Sequence, residues 1–228
     1  MPLDVEVATA AVAAVRESIA EAARRAGREP ASIEILAAVK YLPAEDLPAL
    51  RAAGITRVGE NKADALLAKQ AVAGDLFTWD FIGHLQSRKV RDIVGRVSLV
   101  HSLESDSAAA QLERRAKAPQ DVLVEVNVAA DPTKDGVPPA GLDDFLERLA
   151  ALERVRVRGL MTMPPLTERP DESRPAFAQL RELAASCAER WAPTHTFEVL
   201  SMGTSQDYVV AVEEGATIVR LGSVLYSR

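Results

Sequence analysis

Two patterns of apolar and polar positions alternate along the chain. Between Val5 and Ala26, the residues Val5, Ala8, Val12, Val15 and Ile19 recur at helical spacing, while Arg16, Glu17, Glu21, Arg24 and Arg25 suit a solvated face. This predicts an N-terminal helix over 5–26, stopped by Gly27. Beyond it come short apolar runs with β-branched residues, each followed by helical periodicity. Strands are predicted at 33–40, 57–60, 78–84, 98–103, 121–128, 155–163, 196–202 and 217–222. Helices are predicted at 44–53, 62–73, 88–94, 107–118, 142–153, 174–191 and 207–214, several of them stopped by a glycine. The two long intervals 131–141 and 164–175 are rich in proline and charge and read as loops.

Alternating strands and helices imply a mainly parallel sheet with helical crossovers. Eight such units in 228 residues favour closure into a single (β/α)8, TIM-type α/β barrel over 33–222, with the N-terminal helix as an addition and one domain over 1–228. Composition narrows the function. The 33 acidic residues outnumber the 27 basic ones, and aromatics make up 4%, which argues against nucleic acid as a partner. Acidic Asp4 and Glu6 stand where a signal peptide would be basic, and no apolar run is long enough for a membrane, so a cytoplasmic protein is expected. A single cysteine, Cys187, and three scattered histidines do not suggest a metal centre.

In such barrels the chemistry lies at the C-terminal strand ends. Reading only those ends gives Lys40, Glu60, Asn61, His84, Glu104, Asn127, Met161, Met163, Ser201, Arg220 and Gly222. Lys40 closes an apolar run behind Ala37 and Ala38; with a desolvated stem it could form an imine with an aldehyde. The plain alternative is a solvated lysine. After the seventh and eighth strands, Ser201, Gly203, Thr204 and Ser205, then Gly222 and Ser223, supply the glycines and hydroxyls of an anion cradle. Ordinary Gly/Ser turns are the alternative there. The first and eighth strands are neighbours once a barrel closes, so lysine and cradle would meet. Pyridoxal 5′-phosphate (PLP) satisfies both with one molecule. Arg220 would then face the pyridine nitrogen, or else pair with Glu60 or Glu104 across the barrel. Asn61 could help position the ligand or cap the next helix, and Met161 and Met163 suit packing beneath a flat ring. His84, with no carboxylate partner visible in the sequence, is expected to make a structural hydrogen bond. Neither a Walker A loop nor a GxGxxG motif is present.

Several blocks in fixed order carry a resemblance: Ala37-Ala38-Val39-Lys40, Gly59-Glu60-Asn61, Phe81-Ile82-Gly83-His84-Leu85-Gln86, Val126-Asn127-Val128, Lys134-Asp135-Gly136, Arg158-Gly159-Leu160-Met161, Leu200-Ser201-Met202-Gly203 and Val219-Arg220-Leu221-Gly222. Through them the chain resembles the pyridoxal phosphate homeostasis protein family, single-domain relatives of the alanine racemase barrel. The resemblance implies a Schiff base on Lys40, a phosphate surrounded by Ser201, Gly203, Thr204, Gly222 and Ser223, and Arg220 at the pyridine nitrogen. The chain departs from the common family pattern at Thr204, where methionine is usual, and at Tyr226-Ser227, where Phe-Gly is usual.

An arginine at the pyridine nitrogen disfavours its protonation and weakens the ring as an electron sink. The second base of alanine racemases is a tyrosine from a further C-terminal domain, and this chain ends with the barrel. A non-catalytic carrier or regulator of intracellular PLP is therefore expected, a monomer rather than a dimer, with apo-forms of PLP-dependent enzymes as recipients. A fold-type III amino-acid racemase is the alternative, and an imine-forming phosphosugar lyase a third.

Overall fold

The computed structural model describes residues 2–129, 131, 134–165, 167 and 169–226. Eight parallel strands close into a barrel in sequence order: β1 (Glu34–Ala38), β2 (Arg57–Glu60), β3 (Thr78–Phe81), β4 (Leu99–Leu103), β5 (Gln120–Glu125), β6 (Val155–Met161), β7 (Val199–Ser201) and β8 (Ile218–Leu221). Closure is made by β8 on β1, with Leu36 opposite Arg220 and Ala37 opposite Leu221. The predicted fold class is the one found.

The helices are α1 (Val5–Arg25), α2 (Leu47–Ala52), α3 (Ala63–Ala73), α4 (Val90–Ile93), α5 (Asp106–Arg115), α6 (Leu142–Ala150), α7 (Arg174–Trp191) and α8 (Tyr208–Glu213). Helix α1 begins where Asp4 accepts hydrogen bonds from the N–H groups of Glu6 and Val7, and Gly27 follows its end at φ +67°. Its buried stripe of Ala8, Val12, Val15 and Ile19 packs on α2 and α8. The prediction treats α1 as an addition; in the structure it lies in the outer ring against α8 and α2. Arg28 fastens it there, donating to the carbonyls of Val212 (2.7 Å) and Ala216 (2.9 Å). Among the described residues, no helix is long and apolar enough to cross a membrane.

Several predicted strands run too long at their C-terminal ends, because those residues leave the ladder to form the mouth. The stretch 78–84 stops at Phe81, and 121–128 stops at Glu125.

Two cores result. A large one lies between the strands and the helices, and a small one inside the barrel contains Leu36, Leu99, Leu123, Met161 and Ile218. The strand bodies are less apolar than the sequence reading holds. Asp80, His101, Ser201 and Arg220 are also buried, contributed by four different strands.

Candidate functional site

A cavity of about 470 Å³ opens at the C-terminal ends of the strands, a size suited to a small ligand. Depressions of about 720 and 1030 Å³ lie at the opposite end, lined by strand starts and by charged side chains such as Arg57, Asp121 and Arg156. The mouth cavity collects Lys40, Asn61, Met161, Thr204, Arg220, Gly222 and Ser223, seven of the nine predicted site residues.

Lys40 stands just past β1, with its ammonium 5.0 Å from the centre of the Tyr41 ring. The desolvated stem expected from the sequence is not found: Lys40 is exposed, because the chain turns outward at the rim once the strand has ended. What holds it lies below. Lys69 donates to the Val39 carbonyl and pairs with the fully buried Glu60, whose other oxygen accepts the Asn61 N–H at 2.9 Å. The ends of β1 and β2 are thereby pinned together beneath Lys40 and Asn61. Asn61 does not cap α3, because that position falls to Lys62.

The far wall comes from the loops after β7 and β8. Thr204 lines the cavity but turns both its donors to Asp207, N–H at 2.7 Å and hydroxyl at 3.1 Å. Its predicted part in binding an anion is reduced accordingly. Ser205 accepts the Gly222 N–H at 3.1 Å and has its own hydroxyl proton to donate, beside the exposed hydroxyl of Ser223. Tyr226 closes this wall by donating to the Ala38 carbonyl at 2.7 Å. Burial pushes its phenol up to about 12, with the negative charge of Glu60 adding to the effect.

Two predicted residues do not reach the cavity. Ser201 is fully buried, and its hydroxyl is taken by His101 (2.9 Å) and Arg220 (2.6 Å). Gly203 sits at φ +90°, where a Cβ would lie 2.5 Å from that of Ala211; it is glycine so that the loop can pack on α8. Arg220 forms the floor, donating to Ser201 and to the Thr162 carbonyl (3.0 Å). Neither Glu60 nor Glu104 pairs with it, since these carboxylates are engaged by Lys69 and His84. Burial pushes the Arg220 guanidinium down to about 10, against the opposing pull of Glu125 and Asp207, so it stays charged at neutral pH.

The sequence reading missed Glu125 and did not foresee the carboxylates that His84 meets. Glu125 lines the cavity at the end of β5, and burial pushes its carboxyl up to about 7, with the Glu104 charge adding and Arg220 opposing. His84 does have carboxylate partners: its Nδ1 lies 2.9 Å from Glu104 and 3.4 Å from Asp135. The ligating atoms of these three residues lie within 4.8 Å of one another, and mutual ion pairing accounts for that. Burial lifts the Glu104 carboxyl, while a hydrogen bond from the Gly136 N–H and the neighbouring His84 work against the shift.

A donor set of this kind has relatives. The family model of the alanine racemase N-terminal domain matches residues 10–228. The pyridoxal phosphate homeostasis protein of Aquifex aeolicus is 41% identical over 216 residues, covering 93% of this chain and 94% of that protein. Among solved structures, PipY of Synechococcus elongatus with PLP bound superposes with a TM-score of 0.80 at 36% identity, over 92% of this chain and 100% of that one. A protein of Bifidobacterium adolescentis superposes with a TM-score of 0.91 at 29% identity, over 97% and 95%. The chain therefore belongs to the alanine racemase N-terminal domain family, among its pyridoxal phosphate homeostasis proteins.

Proposed function

We propose that this protein binds PLP at the mouth of the barrel and serves as a carrier or regulator of the cofactor in the cytoplasm, without turning over amino acids. The observation that carries the reading is one cavity containing an exposed primary amine, a buried guanidinium on its floor and a wall of hydroxyls at Ser205 and Ser223. That donor set fits PLP. Lys40 would hold the cofactor, its primary amine being the group that condenses with an aldehyde to give a C=N bond and water. Ser205, Gly222 and Ser223, with Thr204 beside them, face the phosphate. Met161 and Asn61 bound the ring, and Arg220 addresses the pyridine nitrogen. When bound, PLP is an electrophile and an electron sink; a guanidinium at its ring nitrogen opposes protonation there and restrains the second property.

The racemase reading draws on His84, which lines the same cavity and has a carboxylate at 2.9 Å, the makings of a general base. One experiment separates the two. Purified protein incubated with PLP should gain a visible absorbance band, lost in Lys40→Ala, and borohydride should fix the adduct on the peptide containing Lys40. An adduct on Lys62 or Lys134 would overturn the site. The loaded protein with L-alanine in deuterium oxide should exchange the α-proton no faster than free PLP and pass its cofactor to an apo-enzyme. Rapid exchange abolished by His84→Ala would replace the carrier with the racemase.

A further inference from the structure

The PLP reading leaves unexplained why a barrel of this size buries a histidine and an aspartate in its lumen. Asp80 on β3 and His101 on β4 are both fully buried. Arg57, whose head lies at the opposite end of the barrel, donates to both Asp80 oxygens, at 3.0 and 2.8 Å. His101 Nε2 lies 3.0 Å from Asp80, and its Nδ1 lies 2.9 Å from the hydroxyl of Ser201 on β7. That hydroxyl in turn is 2.6 Å from a terminal nitrogen of Arg220 on β8.

The chemistry gives this chain a direction. A carboxylate only accepts, so Nε2 of His101 carries the proton and donates to Asp80. Burial, with the charges of Arg220 and Arg57, disfavours a second proton on the ring against the pull of Asp80. Nδ1 is then a bare lone pair and takes the single proton of Ser201. The Ser201 oxygen is left with lone pairs toward Arg220, which donates to it and, through its other terminal nitrogen, to the Thr162 carbonyl. Each contact along the path from Arg57 through Asp80, His101 and Ser201 to Arg220 pairs a donor with an acceptor.

We infer that Asp80 and His101 are positioning residues for the cofactor site: acting through Ser201, they fix the orientation of the Arg220 guanidinium that meets the ring nitrogen. The inference rests on the PLP reading above. Asp80→Asn preserves shape but removes the charge and one acceptor. An amide offers one oxygen where the carboxylate offers two, so its N–H opposes either Arg57 or Nε2. Where it faces Nε2, the ring proton moves to Nδ1, the Ser201 proton turns toward Arg220 and two donors oppose each other. Ser201→Ala removes the link with the smallest change of volume. His101→Gln retains both functions, since its amide donates to Asp80 and accepts from Ser201.

The test reads the loaded protein without asking for turnover. Asp80→Asn and Ser201→Ala should still form the borohydride-reducible adduct on Lys40, while binding PLP about tenfold more weakly. The pH profile of the visible band should also shift relative to wild type. His101→Gln should restore both, whereas His101→Leu should not. In the unliganded wild type, nitrogen NMR of the imidazole should find His101 neutral with its proton on Nε2. Affinity and band profile unchanged in Ser201→Ala would overturn the inference, as would a proton on Nδ1 in the wild type. Should Asp80→Asn fail to fold, Ser201→Ala and the NMR measurement still decide. Failure of the wild type itself to form an adduct would instead refute the PLP reading.

Discussion

Glu125→Gln offers a measurement whose size follows from the structure. Glu125 is 9% exposed, and its carboxyl is pushed from 4.5 up to about 7, chiefly by burial and then by the charge of Glu104. Between these values the folded protein holds a proton that the unfolded chain has released. Stability from this group is therefore fully present below pH 4.5 and is lost progressively as pH rises through 7. The span corresponds to about 3 kcal/mol in all. Glutamine is neutral at every pH and nearly the same shape, so it lacks this loss. The stability difference between Glu125→Gln and wild type should grow by about 2–3 kcal/mol from pH 5 to pH 8.5. Urea denaturation of the unliganded proteins at half-unit steps and fixed ionic strength reads it, because the other carboxylates cancel in the difference. A difference that stays flat, or grows toward acid, would refute the reasoning, since it would mean that Glu125 is ionised and well paired when the protein is folded.

Gly222→Leu should weaken PLP about tenfold or more relative to pyridoxal, because the side chain intrudes where the hydroxyl wall meets the phosphate; equal weakening of both ligands, compared by titration, would remove the phosphate from that wall. Lys69→Met leaves the fully buried Glu60 without its cation and should cost about 3–5 kcal/mol in urea denaturation. Most of that loss should return in the double variant with Glu60→Gln, and no return would mean that the pair is not what Lys69 supports. Tyr226→Phe deletes the bond to the Ala38 carbonyl and should cost about 1 kcal/mol by the same assay, with no loss counting against that tie.

The mouth of the site was legible in the sequence because strand ends in a parallel barrel all point the same way. Once the strands are placed, Lys40, Asn61, Met161, Arg220 and Gly222 fall on the cavity by position alone. Glu125 escaped because Val122, Val124, Val126 and Val128 continue strand alternation past it, and periodicity has no mark for where a ladder stops. His84 escaped for a different reason. Its partners Glu104 and Asp135 come from the loops after β4 and β5, and the side-by-side pairing of β3, β4 and β5 brings them together. Lys69 reads as the solvated face of a helix, yet it reaches inward to a buried carboxylate. For Asp80 and His101 a signal did exist. Each stands among apolar neighbours, Asp80 between Trp79 and Phe81 and His101 between Leu99, Val100 and Leu103, and strand alternation places it on one face. A polar side chain on that face of a barrel strand must find partners in the lumen.

Filling the lumen with branched aliphatics is the simpler way to stabilise such a barrel, and replacing buried ion pairs by apolar residues is often neutral or favourable. Here Leu36, Leu99, Leu123, Met161 and Ile218 supply apolar burial, while Asp80, His101, Ser201 and Arg220 occupy the lumen with polar groups. The charges are arranged unevenly. Asp80 is neutralised by Arg57, and His101 is held neutral between them and Arg220. Arg220 keeps its charge at neutral pH, while its carboxylate neighbour Glu125 is half-protonated near pH 7. The floor of the cavity is thus a fixed cation, part of whose compensation disappears when Glu125 takes up a proton. A negatively charged ligand would gain from that cation, and a ring nitrogen seated beside it, as proposed, would be disfavoured from taking a proton. On the proposed seating of PLP, the cation that holds the ring in place would also oppose protonation of its nitrogen and so weaken it as an electron sink.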